Sequence, residues 1–282
     1  MVLKNKNINS EIPLKKNDNY IDLGDLGRYY KYNKLNELTG KEWIKFTKSW
    51  FVLRPQRRAS NELLHPAKFP ETLVERYITF FTKKGDLVLD PMAGIGTVNY
   101  VCEKIDRIGY SIELEEKYYN IGKARSNQNY YLGDCRNIEK FNVPSVDLII
   151  TSPPYWDSLK RNHIRQEKRK KDGLDTEYSS NQNNLENIRD YNEFLSTLVN
   201  IYVKLKGYLK KKKYLVIFIN NIYKNSRLFP LAFDLASQLG RHLTLKDEQI
   251  WCQDDKRLIA LGINNAYVGN RHHTYCLIFR NE

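Results

Sequence analysis

The sequence predicts an α/β protein built on a mostly parallel, doubly wound sheet that ends in an antiparallel hairpin. Three observations carry that expectation. From residue 86 onward, short apolar runs alternate with stretches of helical period, the trace left by a parallel sheet with crossover helices. Gly94 and Gly96 stand where the first apolar run gives way to the next helical stretch, as a tight strand-to-helix turn requires. The last two apolar runs have only a loop between them, so they should pair antiparallel at the sheet edge.

The elements follow in order. Residues 1–60 read as polar and irregular, with one helix over about 41–50. The apolar period predicts a helix over Glu71–Phe81, then a buried strand in DLVLD at 86–90. RIGYSIE at 107–113 reads as a second strand, 115–125 as a helix, and 130–132 as a brief third strand. VDLIIT, Val146–Thr151, is a fourth strand that runs directly into Ser-Pro-Pro-Tyr. A long helical segment covers 188–209, followed by a strand at 214–220, a helix over 228–239, and closing strands near 244–252 and 274–280. The stretch 157–187 breaks the alternation, first rich in Lys and Arg and then in Asn, and reads as a loop or ordered insertion. The chain thus divides into an N-terminal extension, 1–60, and one domain, 61–282, carrying a basic insertion at about 157–187. Lys210, Lys211, Lys212 and Lys213 read as a solvated helix end, and His272 and His273 as part of the final strand.

Composition sets broad limits. At 282 residues and 41% hydrophobic the chain can build a sizeable core. Lys+Arg 46 against Asp+Glu 33 gives a net charge of +13, which suits a polyanionic partner but equally reflects a Lys- and Asn-rich composition. The N-terminus lacks the apolar core of a signal peptide and no apolar run reaches membrane-spanning length, so a cytoplasmic protein with no membrane role is expected. Cys102, Cys135, Cys252 and Cys276 are far apart with no C-x-x-C pair, and read as packed, reduced thiols instead of a zinc site or disulfide framework.

Two constellations carry chemistry. The first is DPMAGIGT at 90–97, at the end of a strand and opening a helix, with acidic Glu113 on the next strand where a ribose-binding carboxylate belongs. Together they favour a nucleoside-containing cofactor. Asn99 occupies the third glycine position of the dinucleotide fingerprint, which argues against NAD and against a pyrophosphate at the helix N-terminus. The second is TSPPYW at 151–156, where two prolines make a stiff turn without backbone donors but with carbonyl acceptors, and Ser152 adds a hydroxyl. Rigid acceptors beside aromatic rings suit an amino group attached to a flat base. For that segment alone, a structural Pro-Pro turn with core aromatics is the plainer alternative.

These residues resemble the amino-methylating DNA methyltransferases, which make N4-methylcytosine or N6-methyladenine. DPMAGIGT resembles their cofactor loop, with Met92 where Phe is usual, and TSPPYW resembles the serine form of their catalytic motif. HPAKFPE at 65–71 is similar to the segment that completes the cofactor pocket, and Asn221, QIW at 249–251 and HHTYCLIFR resemble the closing strands. The resemblance covers roughly residues 50–282 and implies a Rossmann-like class I methyltransferase. It implies S-adenosylmethionine as cofactor, S-adenosylhomocysteine as product, and no metal. The cofactor residues it implies are His65, Lys68, Phe69, Asp90, Met92, Gly94, Gly96, Thr97, Glu113 and Asp134, the last two holding the ribose hydroxyls and the adenine. The implied catalytic turn is Ser152, Pro153, Pro154 and Tyr155.

The partner it implies is double-stranded DNA with the target base flipped out. Tyr155 would stack on that base, while Trp156, Lys160, Arg161, Arg165, Lys168, Arg169, Lys170 and Lys171 would meet the nucleic acid. Arg54, Arg57 and Arg58 are weaker candidates for DNA contact. The serine form is commonest among cytosine-N4 enzymes, which makes cytosine N4 the first expectation and adenine N6 the second. The resemblance leaves a homodimer and a companion restriction endonuclease open. An RNA exocyclic-amine methyltransferase, a non-catalytic nucleic-acid-binding scaffold and a nicotinamide oxidoreductase are the other classes. The first lacks an evident RNA-binding module, the second is disfavoured by the intact motifs, and the third lacks the full glycine fingerprint.

Overall fold

The computed structural model describes residues 19–54, 69–154, 156, 171, 183–262 and 266–282. A small hairpin, β1 (Tyr20–Asp22) and β2 (Arg28–Tyr30), leads to α1 (Gly40–Phe46) and β3 (Trp50–Val52). Next come α2 (Glu71–Phe81), β4 (Leu87–Asp90), α3 (Thr97–Lys104), β5 (Ile108–Glu113), α4 (Glu116–Lys123), β6 (Asn129–Leu132) and β7 (Val146–Thr151). Then follow α5 (Tyr191–Lys206), β8 (Leu209–Ile219), a hairpin of β9 (Ile222–Lys224) and β10 (Arg227–Phe229), α6 (Leu231–Leu239), β11 (Thr244–Cys252) and β12 (His273–Arg280).

Eight strands form one sheet in the order β3-β11-β12-β8-β7-β4-β5-β6. The five strands from β8 to β6 are parallel, and β12 enters antiparallel between β8 and β11. This is the Rossmann-like doubly wound architecture. After β4 the chain builds outward through β5 and β6, then returns to lay β7 and β8 on the other side. The order therefore reverses between β4 and β7, the place where open α/β sheets bind ligands.

Two apolar layers flank the sheet, and the period-2 alternation of the central strands feeds both. Ile149 of β7 and Leu215 and Ile217 of β8 join the layer built on α5 and α6. Leu148 and Ile150, with Val216 and Phe218, join the layer of α1, α2 and α3. All six residues of β7 are buried, which explains its uninterrupted apolar reading.

Several elements depart from the sequence reading. The closing strands do pair antiparallel, yet they are not the sheet edge, because β3 pairs in parallel with β11 through Trp50, Phe51 and Val52. The helix expected over 41–50 spans Gly40–Phe46; Thr39 and Glu42 form a reciprocal capping box at its start, and the chain after it is drawn into β3. Phe46 stacks on Phe80 of α2, so this part of the N-terminal region contributes to the core. The long helix starts at Tyr191, where the Asp190 carboxylate accepts the Glu193 N–H at 2.8 Å.

The four lysines from Lys210 to Lys213 lie inside β8, not at a helix end. Asp147 neutralises two of them, with Lys210 at 2.8 Å and Lys213 at 3.1 Å, and Lys212 absorbs a ladder irregularity with φ of 63°. Of the histidine pair, His273 begins β12 and His272 precedes it.

Candidate active site

The site lies at the carboxyl ends of β4, β5 and β7. β4 ends in Asp90, and the next residues turn through Gly94 and Gly96, whose φ values of 57° and 71° fall where side chains with a Cβ are strained. Gly96 is also the N-cap of α3, and a Cβ there would come within 3.1 Å of Gly122 Cα. The loop is held from several sides. The Gly94 N–H donates to Glu113 Oε2 at 2.7 Å, Tyr130 Oη donates to the Gly94 carbonyl, and Arg125 bridges the Ile95 carbonyl (2.8 Å) and Glu71 of α2 (2.7 Å).

Asn99, which replaces the fingerprint's third glycine, is buried and fastens α3 to its neighbouring strands. It accepts from Ser111 Oγ at 2.9 Å and donates to the Asn129 carbonyl at 2.9 Å. The close approach of helix to strand falls instead on Gly109 of β5, where a Cβ would sit 2.4 Å from Asn99 Oδ1.

Both acidic residues at this edge are buried. Burial pushes the Asp90 carboxyl up to about 7, against the lowering effect of the Met92 N–H and the Thr151 hydroxyl. Burial likewise pushes Glu113 up to about 7, with the Glu115 and Gly94 N–H groups pulling the other way. Each Glu113 oxygen takes one backbone N–H, at 2.8 and 2.7 Å, which leaves lone pairs for another donor. Oε1 of Glu115 is buried on the same wall with no hydrogen-bond partner among the described residues.

Thr151, the last residue of β7, donates its hydroxyl to Asp90 Oδ1 at 2.9 Å across the switch point. That bond ties the glycine loop to the Ser-Pro-Pro turn. One cleft of about 1100 Å³, counting its open mouth, runs past both. The cleft brings together Phe69, Asp90, Met92, Gly94, Thr97, Glu113, Asp134, Ser152, Pro153 and Pro154 from the sequence-derived set. Gly96 shapes the loop without facing the cleft. Lys171 is exposed, away from the cleft lining. His65, Lys68, Tyr155, Lys160, Arg161, Arg165, Lys168, Arg169 and Lys170 lie outside the described residues, as do Arg57 and Arg58.

Trp156 departs from the expected nucleic-acid contact because it is packed. It is 4% exposed, its Nε1 donates to the Ile188 and Arg189 carbonyls, and its ring packs edgewise on Tyr191 and Phe229. Arg54 pairs with Asp254 at 2.8 Å. Cys102, Cys135 and Cys276 are buried and Cys252 is half-buried, all as free thiols. Among the described residues no group of three His, Cys, Asp or Glu side chains could hold a metal, and no helix is long and apolar enough to cross a membrane.

Sequence reasoning missed part of the cleft wall. Arg136 grips Asp134 through Nε at 2.8 Å and reaches the Asn183 carbonyl at 2.7 Å, which seats residues 183–185 on the cleft. Arg136 sits two positions beyond Asp134, and Glu115 two beyond Glu113, so proximity to a marked acid was the available signal. Residues 183–185 carry no local signal, since their place depends on a partner far away in sequence.

A family model described as DNA methylase matches residues 6–124 and 146–281 of the chain. Among curated relatives, the Type II methyltransferase M.HpaI of Haemophilus parainfluenzae is 39% identical over 70 residues, 25% of this chain and 22% of that protein. The Type II methyltransferase M.BglII of Bacillus subtilis is 32% identical over 110 residues, 36% of this chain and 31% of that one. The matched stretches thus span less than a third of those relatives' lengths. A solved TehB-like SAM-dependent methyltransferase from Corynebacterium glutamicum is 11% identical, with 75% of this chain and 87% of that one covered at a TM-score of 0.42.

Proposed function

The chain belongs to the DNA methylase family, and on that premise we propose that it transfers a methyl group from S-adenosylmethionine to the exocyclic amino nitrogen of a flipped DNA base, cytosine N4 first. The observation that most supports this is the buried Thr151–Asp90 hydrogen bond, which makes a carboxylate-lined pocket and an acceptor-rich turn two ends of one cleft.

The residues present suit that cofactor. Glu113 keeps acceptor capacity for ribose hydroxyls, Phe69 and Met92 supply apolar wall, and Asp134, held by Arg136, lines the end of the cleft where the adenine would sit. Asp90, Gly94, Gly96 and Thr97 shape the main chain beside it, and His65 and Lys68 complete the pocket. When bound, S-adenosylmethionine supplies an electrophilic methyl carbon on a sulfonium.

The target nitrogen is a poor nucleophile because its lone pair is delocalised into the ring. Ser152 Oγ and the Pro153 carbonyl accept its two hydrogens and hold them out of the base plane, which localises the lone pair toward the methyl group. These hydrogen bonds strengthen as positive charge builds on nitrogen, so they favour the transition state over the ground state. Pro154 keeps the turn stiff, and near-attack positioning contributes a further share of the rate. The nitrogen becomes acidic only after attack, so no strong base is required. Tyr155 stacks on the extruded base, while Lys160, Arg161, Arg165, Lys168, Arg169, Lys170 and Lys171 reach phosphates.

On this reading residues 61–282 are the catalytic domain, and sequence recognition draws on 157–187 and 1–60. The protein acts in the cytoplasm, in a restriction–modification setting, and a homodimer and a companion endonuclease are the protein partners the reading allows. The test is incubation with S-adenosylmethionine and unmethylated plasmid DNA, digestion to nucleosides, and mass spectrometry. N4-methylcytosine is the expected product. N6-methyladenine keeps the mechanism and changes the base, and no methylated nucleoside with cofactor binding intact overturns the reading.

A further inference from the structure

Two excursions leave the sheet at the same edge as the catalytic turn, on the side of β7 away from the glycine loop. β8 is parallel to β7, and β11 runs the same way because each is antiparallel to β12. The chain beyond Ile219 and the chain beyond Cys252 therefore both emerge where Thr151 ends.

The first excursion is the β9–β10 hairpin. Asn225 and Ser226 at its tip have φ of 48° and 58°, as a tight two-residue hairpin turn requires. It is continuous with the catalytic turn, since Phe229 packs on Trp156 at 4.9 Å and the Lys224 ammonium lies 4.2 Å over the same ring. The second is the connection from Cys252 to His273. Asn270 clasps Ile259 there with two reciprocal hydrogen bonds of 3.0 and 2.8 Å, and Gly262 turns at a φ of 98° that suits glycine. Arg271 joins the excursions by lying 5.2 Å over the Tyr223 ring.

The surface they share is unusual in two respects. Tyr267 and Leu258 are 91% and 74% exposed, the most exposed large apolar side chains among the described residues. On the two excursions the charge is mainly positive, Lys224, Arg227, Lys256, Arg257 and Arg271 against Asp254 and Asp255, and Asp254 is taken up by Arg54. Exposed apolar groups set among cations suit a partner with a charged backbone and flat apolar edges. A second copy of this chain, with its net charge of +13, would meet like charge across a two-fold contact.

We propose that the β9–β10 hairpin, with residues 253–262 and 266–272, forms a docking surface for duplex DNA beside the target base, with Arg227 and Arg257 on phosphates and Leu258 and Tyr267 on sugar and base edges. This rests on the methyltransferase reading and adds a contact surface that neither residues 157–187 nor 1–60 contain. Phosphate contacts and apolar contacts differ in salt dependence, so the two roles separate.

The experiment uses the full chain with S-adenosylhomocysteine and a fluorescently labelled duplex cut from the plasmid of the methylation assay, and follows anisotropy across a salt series. In the Arg227→Gln/Arg257→Gln double variant the slope of log affinity against log salt becomes shallower by about 2. Affinity at low salt drops about tenfold or more, and S-adenosylhomocysteine affinity measured by calorimetry does not change. Tyr267→Ala weakens binding several-fold at the wild-type slope. Wild-type slope and affinity in the double variant overturn the proposal. A wild-type dimer that the double variant dissolves, with DNA binding untouched, overturns it too and gives the surface to a second copy. A wild type that neither binds nor methylates DNA removes the methyltransferase reading itself, whereas normal methylation with indifferent variants removes only this surface.

Discussion

The two edges of the parallel sheet treat buried carboxylates in opposite ways. At the amino edge, Asp147 faces Lys210 and Lys213, and Asp86 lies 3.5 Å from Lys213. Burial raises the Asp147 carboxyl, but Lys210, the Leu87 N–H and Lys213 outweigh it and hold the group below its ordinary range. At the carboxyl edge, Asp90 and Glu113 meet N–H and O–H donors and no cation among the described residues, and both are pushed up to about 7. A fold that supplies lysines to Asp147 and Asp86 leaves Asp90 and Glu113 without a countercharge among the described residues. Charge left unsatisfied beside a cleft marks where a ligand does the compensating.

The largest effect that would break this contrast comes from Ser152. Ser152→Ala should lower single-turnover methylation by roughly 100- to 1000-fold, by analogy with loss of one transition-state hydrogen bond. S-adenosylhomocysteine affinity should stay within about twofold in calorimetry, since the pocket carboxylates are untouched. Tyr155→Ala should follow the same pattern, and loss of cofactor binding in both variants would sink the division of roles. Next in size, Glu113→Ala should weaken S-adenosylhomocysteine binding by about 10- to 100-fold. Asp147→Asn should leave that affinity unchanged yet cost about 1–3 kcal/mol in denaturant unfolding. Comparable losses of cofactor affinity in both variants would erase the distinction between edges.

Smaller effects sharpen it. Neutralising Lys168, Arg169, Lys170 and Lys171 together should flatten the salt dependence of DNA binding by about 0.9 for each phosphate contact removed. An unchanged slope would move that contact elsewhere. The pH dependence of folding has a sign that differs between the edges. Asp90 and Glu113 have raised folded values, so their contribution is complete below the ordinary carboxylate range and is lost as pH rises through about 7. Asp147 is lowered, so its contribution holds at neutral pH and is lost as pH falls through and below the ordinary range. The ligand-free wild type should therefore melt roughly 5 °C lower at pH 8.5 than at pH 6. Glu113→Gln should reduce that difference.

Much of the site was legible because its signals are local. The helix Glu71–Phe81 agrees residue for residue with its apolar period, and β7 with its apolar run. The glycine turn, Glu113 and the Ser-Pro-Pro turn each announce themselves within a few residues. What escaped the sequence reading depends on distant partners. Trp50, Phe51 and Val52 become an edge strand only because Ile250, Trp251 and Cys252 lie alongside them. The lysines of β8 read as a helix end because Asp147 and Asp86, which pair with Lys210 and Lys213 in a strand, come much earlier in the chain. Trp156 adjoins the Ser-Pro-Pro turn in sequence, yet Phe229 and Tyr191 claim its ring.

The central claim, that Glu113, with no countercharge among the described residues, receives the cofactor's ribose, is tested most directly by S-adenosylhomocysteine affinity across pH. Calorimetry from pH 5.5 to 8.5 should show wild-type affinity rising through about 7 as the carboxyl ionises and becomes a full acceptor. Glu113→Gln should bind more weakly with that rise reduced. An identical pH profile in the two proteins would contradict the account.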